Sequence, residues 1–383
     1  MNMKTSPLLL VVITCLGPAL AAQPRVTTMR VPEGGVQPQV AVDAKHVVHL
    51  IYLAGDPAHC DVFYTRSSDD GGHWSKPVRV NSHEGSGIAL GTVRGAQLAL
   101  GRGGRVHVVW MGSDKSEPKA PGKATPMLYT RSTDDGAAFE AERNVVTSKV
   151  GLDGGGSVAA DDAGHVFVAW HAPGEKGGSE ADRRVWVARS TDDGQTFVAE
   201  APLSDASIGG CGCCGMKVFA SGGKLYGLYR GAAEQVNRGM YLLTSGDDLR
   251  DANAIEISPM RSGVCVMSTS ALARGAHGVL AAWETKDRIY WARIDPAHPG
   301  KLAEHRVPGG QANRKHPAIA SNDNGDVLTA WAEGTGWNKG GSVGWQVYGA
   351  GGNLVAAGRA DALPAWDEPA AFATRDGHFV VLY

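Results

Sequence analysis

The chain has 383 residues, 43% of them hydrophobic and 20% charged, which excludes a disordered polypeptide and leaves enough material for a large core. A formal net charge of -2 at pH 7 provides no electrostatic footprint for nucleic acid or an anionic membrane surface. The 52 glycines call for many tight turns, as an all-β chain does.

The chain opens on MNMKTSPLLLVVITCLGPALAAQ. Lys4 gives a short positive region, Leu8 to Leu16 an apolar run too short to span a bilayer, and Ala19-Leu20-Ala21 the small residues of a cleavage site. These features predict a signal peptide over residues 1–22 and an exported chain, periplasmic or secreted, over residues 23–383, with no membrane span. Cys15 belongs to the leader, where the preceding Ile13 and Thr14 fit lipidation poorly. Removing the leader leaves Cys60, Cys211, Cys213, Cys214 and Cys265. Five is odd, so at least one thiol is unpaired within the chain, in a compartment where disulfides persist.

One pattern then recurs: an apolar strand, a glycine or polar turn, and a second apolar strand closed by an aromatic. It reads QPQVAVDAKHVVHLIY, GAQLALGRGGRVHVVW, GSVAADDAGHVFVAW, GMKVFASGGKLYGLY, STSALARGAHGVLAAW, HPAIASNDNGDVLTAW and EPAAFATRDGHFVVLY. The closing aromatics are Tyr52, Trp110, Trp170, Tyr229, Trp283, Trp331 and Tyr383, spaced by 58, 60, 59, 54, 48 and 52 residues. Further strands such as DVFYTRSS and VWVARST fit between the hairpins, giving about four strands per unit, the makeup of a propeller blade. The fold expected is all-β, a single β-propeller with seven inner hairpins and six to seven blades. Nothing follows the seventh hairpin, so Arg25 to Val31 is expected to complete it. The closing aromatics are read as core.

Three units carry a sharper mark: SSDDGGHW at residues 67–74, STDDGAAF at 132–139 and STDDGQTF at 190–197. Asp69, Asp134 and Asp192 are placed to accept backbone amide hydrogen bonds within a tight turn, and Gly71, Gly136 and Gly194 to take its positive φ. Trp74, Phe139 and Phe197 supply a buried aromatic. These copies resemble the Asp-box, or BNR repeat, of the sialidase superfamily, and the resemblance extends over the chain as a blade pattern. It implies a sialidase-like propeller, in which the boxes are read as structural; because they follow the third strand of an antiparallel blade, they are expected on the face opposite the loops that enter each inner strand.

That opposite face collects the chemistry. The fourth entrance, IGGCGCCGMKVF, carries Cys211, Cys213 and Cys214; the fifth, SPMRSGVCVM, carries Arg261, Cys265 and Met267; the sixth carries Arg314, Lys315 and His316; the seventh Trp366, Asp367 and Glu368. Three readings of the cysteines stand open: structural disulfides, a soft-metal site and a redox thiol pair. Thiolates joined by Met267 or His316 suit copper(I) first and zinc second. Glycines 209, 210, 212 and 215 would let the backbone curl and turn the sulfurs inward.

The resemblance implies a second chemistry, exo-sialidase-like hydrolysis or glycan binding. That family holds a substrate carboxylate on three arginines and uses a tyrosine nucleophile activated by a glutamate, with an aspartate as acid. Here it implies Arg94, Arg230 and Arg314 for the carboxylate, Glu284 or Glu368 beside the tyrosine, and Asp367 as the acid. The family's Arg-Ile-Pro signature is absent from the first inner strand, Arg30-Val31-Pro32 lying upstream of it, and no tyrosine stands out. The expected ligand is therefore a glycan or other small molecule, or a metal such as copper in a non-enzymatic propeller.

Overall fold

Alternating apolar residues in each hairpin give every sheet two faces that can be covered by its neighbours. The computed structural model describes Met1 and residues 25–133, 137–175, 177–309 and 313–383. The leader assigned to residues 1–22 therefore lies outside the described residues, apart from Met1, as do Asp134 and Gly136 of the second Asp-box.

The repeats form seven sheets, six of four strands and one of three. The innermost strands of blades one to seven are Val36–Val42, Gln97–Leu100, Gly156–Ala160, Lys217–Ser221, Ala271–Gly275, Arg314–Ser321 and Ala370–Ala373. Each lies beside the next, and the seventh lies beside the first, so the ring closes with seven blades. Among the described residues the only helical elements are short 3-10 turns, and no helix is long and apolar enough to cross a membrane.

Closure joins the two chain ends. Val26–Met29 runs parallel to Phe379–Leu382, with Val26 opposite Phe379 and Met29 opposite Leu382. The amide of Val31 donates to the Tyr383 carbonyl at 3.1 Å, and the Arg30 guanidinium lies 4.2 Å from the centre of the Tyr383 ring.

The apolar core is divided among the seams between blades. One cluster joins Val109, Met127 and Tyr129 of blade two to Val158, Val168 and Trp170 of blade three, and equivalent clusters fill the other six seams. Tyr52, Trp110, Trp170, Tyr229, Trp283 and Trp331 are all buried there. Enclosing one such side chain contributes about 1.5–3 kcal/mol.

The first and third Asp-boxes have the expected turn geometry. Asp192 accepts hydrogen bonds from the Ser190 hydroxyl (2.7 Å), the Thr196 amide (2.9 Å) and the Thr196 hydroxyl (2.6 Å). Asp69 is held likewise by Ser67 and His73. Gly71 and Gly194 take φ values of 89° and 78°, and the aspartates before them, Asp70 and Asp193, are also left-handed at 58° and 61°. Phe139 meets Tyr64 edge-on and Phe197 meets Tyr129 edge-on, each across a seam. Asp193 further pairs with Arg105 of the preceding blade at 2.6 Å. The boxes share a face with the inner hairpin turns, since the Asp193 amide donates to Gly164 and Asp70 accepts from the Arg375 amide.

An axial channel of about 910 Å³ is lined by the inner strands of all seven blades. It runs from Gln39, Gln97, Lys217, Thr269 and Glu368 at the strand entrances to Asp43, Asp323 and Arg375 at the hairpin turns.

Candidate functional site

The loop entering blade four turns sharply over the entrance face. Gly209 sits at φ 66°, where a Cβ would lie 3.0 Å from the backbones of Ala181 and Ala232. Gly215 keeps an ordinary φ but approaches blade five so closely that a Cβ would lie 2.8 Å from the Thr269 methyl group. Of the four glycines expected to curl the backbone, Gly209 is thus the one in the left-handed region. The Cys214 amide donates back to the Cys211 carbonyl at 3.2 Å, closing a turn, and the Gly215 amide donates to the Ser268 carbonyl at 3.0 Å. That last bond joins the fourth and fifth entrances, and Lys315 of the sixth fixes the Val266 carbonyl at 2.8 Å.

Four sulfurs meet at this corner, all within 4.8 Å of one another. Cys213 and Cys265 are bridged, with Cα atoms 6.8 Å apart, whereas Cys211 and Cys214 are buried free thiols. Cys211 Sγ lies 3.4 Å from Cys214 Sγ, 3.5 Å from Cys213 Sγ and 4.0 Å from Cys265 Sγ. Ala232 and Val266 pack on the cluster.

Two arginines face the sulfurs. Arg238 Nη1 donates to Cys211 Sγ at 3.0 Å while its Nη2 donates to Glu180 at 2.6 Å. Arg230 pairs with Glu284 at 2.8 Å, both side chains being fully enclosed. The two free thiols titrate as a pair. The hydrogen bond from Cys211, aided by the Arg230 charge, draws Cys214 down to about 6. The same hydrogen bond, with burial, pushes Cys211 far above the ordinary thiol range.

A second polar group surrounds the axis at the strand entrances. Lys217 Nζ donates to Gln97 Oε1 (2.6 Å) and Gln39 Oε1 (3.1 Å), and Gln39 Nε2 donates to Glu368 (3.1 Å). Thr269 donates to Glu368 at 3.0 Å, and His316 Nδ1 lies 3.5 Å from the same carboxyl. Asp367 accepts from the amides of Gln37 and Glu368. Burial pushes Glu368 up to about 8 and Asp367 up to about 7, and draws Lys217 down to about 8 and His316 down to about 3.

The residues expected at the site are thus distributed over two places. Cys211, Cys213, Cys214 and Cys265 converge, while His316 serves the axial collar with Asp367 and Glu368 rather than the sulfurs. Met267 offers its backbone amide to Cys214, and the side chain packed on the cluster is that of Val266. The three arginines each engage a different carboxylate: Arg94 with Asp153 (3.3 Å), Arg230 with Glu284, and Arg314 with Glu333 (3.3 Å). Arg261 is exposed and bonded to Asn237. Cys60 stands apart, enclosed in the seam between blades one and two, and burial pushes its thiol up to about 12.

Sequence reasoning missed Arg238, Glu180, Lys217, Gln39 and Gln97. Lys217 had a signal, a lone charge inside the apolar inner strand GMKVF, and Gln39 and Gln97 recur near the start of their strands. It also missed that Cys211 and Cys214 form a Cys-x-x-Cys pair. Arg238 and Glu180 sit in loops of blades four and three, with no pattern to mark them.

No protein-family model matches the chain, and no curated protein matches it. Solved structures do. A protein of unknown function from Dyadobacter fermentans is 15% identical, with a TM-score of 0.55 over 86% of this chain and 94% of its own. An alpha-L-arabinanase from Penicillium chrysogenum, solved with arabinobiose, is 14% identical with a TM-score of 0.55 over 85% of this chain and 96% of its own. The NanB sialidase from Streptococcus pneumoniae is 8% identical, with a TM-score of 0.53 over 81% of this chain and 67% of its own. The fold is that of the sialidase-like β-propellers. At these identities the likeness defines the architecture, and function must be argued from the site.

Proposed function

We propose that this protein is an exported, non-enzymatic propeller that holds copper(I) on Cys211, Cys213, Cys214 and Cys265 at the corner between blades four and five. One observation carries the reading: four Sγ atoms from two entrances lie within 4.8 Å of one another. Reduction of the Cys213–Cys265 bridge would free all four as ligands. Soft thiolates favour copper(I), zinc being the competing ion. The adjacency of Cys213 and Cys214 restrains a regular tetrahedron and suits the lower coordination numbers that copper(I) accepts. Arg238 and Arg230 would offset the negative charge of a thiolate set.

The test is a titration of anaerobically reduced protein with copper(I) against a competing chelator, followed by X-ray absorption at the copper edge. Sulfur scattering is expected, and Cys213→Ser or Cys214→Ser should weaken binding while the propeller stays folded. Reduced wild-type protein that retains no copper(I) overturns the reading, and tight zinc binding without copper preference replaces the ion.

A second reading, glycan binding at the same face, has its own support. Trp337 is 62% exposed, and a Cβ on Gly91 would lie 3.0 Å from both its ring and Arg94 Nη1. An exposed indole offers an apolar face and an N–H edge, and the guanidinium beside it adds donors, which together suit a ring carrying hydroxyl groups. Arg230 is already paired with the buried Glu284 and Arg314 with the partly buried Glu333, which leaves neither free for a substrate carboxylate. A fluorogenic sialoside assay decides it: absence of both turnover and binding removes this reading.

A further inference from the structure

We propose that the sulfur corner has a second activity, thiol–disulfide exchange, in which the Cys213–Cys265 bridge faces outward and Cys211 and Cys214 form an internal reservoir of two reducing equivalents. It uses the same four sulfurs and needs no metal. The four differ in access: Cys213 and Cys265 are half-buried, whereas Cys211 and Cys214 are 0% and 2% exposed. Cys265 follows Val264, which is 73% exposed, so an external thiolate can reach the bridge but not the inner pair. The inner pair has Cys-x-x-Cys spacing, the arrangement that closes a small disulfide ring. Cys211 stands between the two pairs, 3.4 Å from its inner partner and 3.5 Å from the bridge. Arg238 donates to that sulfur, stabilising the transient thiolate formed when its proton passes to Cys214.

The steps balance. The proton that Cys211 donates to Cys214 passes across their 3.4 Å hydrogen bond, and the resulting Cys211 thiolate attacks Cys213 Sγ; the Cys211–Cys213 bond forms, the Cys213–Cys265 bond breaks, and Cys265 leaves as a thiolate. Cys214, its proton passing to the departing Cys265, then attacks Cys211 Sγ; the Cys211–Cys214 bond forms and Cys213 leaves as a thiolate. One disulfide has moved inward with no net oxidation, and two thiols now face outward. An external glutathione-type disulfide reoxidises them. Cys265 attacks it and releases one thiolate, then Cys213 attacks Cys265 Sγ and releases a second, each taking a proton from solvent.

The experiment uses the full chain with a metal chelator present. Protein in its one-bridge state is unfolded rapidly into denaturant containing N-ethylmaleimide, and the disulfides and labelled cysteines are mapped by peptide mass spectrometry. The expected result is Cys213–Cys265 accompanied by Cys211–Cys213 and Cys211–Cys214, with label on Cys265. Cys211→Ser should abolish the Cys265 label; Cys214→Ser should retain the Cys211–Cys213 form and lose the inner bridge. In a second arm, fully reduced protein receives oxidised glutathione. Wild type should release four glutathione thiols per chain and Cys211→Ser two. Wild type that keeps Cys213–Cys265 alone, with label confined to Cys60, Cys211 and Cys214, overturns the proposal. Neither arm involves copper, so failure here leaves the metal titration of reduced protein standing, and failure of that titration leaves exchange standing.

Discussion

Arg238 has one guanidinium nitrogen on Cys211 and another on Glu180, so it couples the charge of the sulfur corner to a carboxylate of the neighbouring blade. If the corner holds copper(I), Arg238→Met should weaken binding by about 10–100-fold, the usual cost of losing an outer-shell partner. Competition titration reads this directly, and an unchanged affinity would make Arg238 a packing residue. Glu368 poses a different question. Its folded pKa, about 8, lies above the value near 4.5 of a free glutamate, so the folded protein retains a proton that the unfolded chain releases. Its stabilising contribution is complete below the unfolded value and is lost as pH rises through about 8. His316, drawn down to about 3, acts only below its ordinary range; Asp367 and Glu284, each raised to about 7, are half titrated there, and Lys217 and Cys214, drawn down to about 8 and about 6, act with the opposite sign. The Glu368 contribution is therefore isolated as the stability difference between wild type and Glu368→Gln, which should fall by at most about 1.4 kcal/mol per pH unit as pH rises toward 8. Paired thermal melts should show wild type losing stability relative to Glu368→Gln as pH rises from about 6 to 8, and a constant difference would contradict the raised value.

At the scale of the element, the Asp-box is a turn held by one carboxylate. Asp192→Ala removes bonds to Ser190 and to the amide and hydroxyl of Thr196, and should lower stability by about 1–2 kcal/mol given its exposure. Hydrogen bonding from Thr196 holds the Asp192 carboxyl at about 2, so its contribution is present above the ordinary aspartate value and lost as pH falls toward 2. The gap between wild type and variant should close over that interval, while copper(I) affinity at neutral pH stays unchanged. Lost copper affinity with an unaltered melting point would contradict the structural role.

For the whole molecule, closure is the vulnerable joint. Val26–Met29 supplies the outer strand of blade seven, and bonds from Val31, Phe379 and Tyr383 tie the termini together. Deleting residues 25–30 should cost on the order of 3 kcal/mol or more, counting about 1 kcal/mol per net hydrogen bond. Calorimetry should record a lower and broader transition; an unchanged one would mean that the seams alone hold the ring.

The ring was legible because blades repeat: closing aromatics at intervals of 48 to 60 residues report the inner hairpins, and Ser-x-Asp-x-Gly reports a local turn that depends on nearby residues alone. The cysteine corner was half legible, since topology brings the fourth and fifth entrances together. Its environment was not. Arg238 and Glu180 reach Cys211 and Cys213 from separate loops, and the direction of a loop side chain follows from packing rather than from any period in the chain. The arginines make the same point: Arg94, Arg230 and Arg314 lie at or near entrances as the pattern suggested, yet Asp153, Glu284 and Glu333 claim them. Burial makes an unpaired charge costly, so the nearest carboxylate in three dimensions decides what each arginine can bind. Chain order determined which blade every residue belongs to; only the packed ring decided which charges and sulfurs became neighbours.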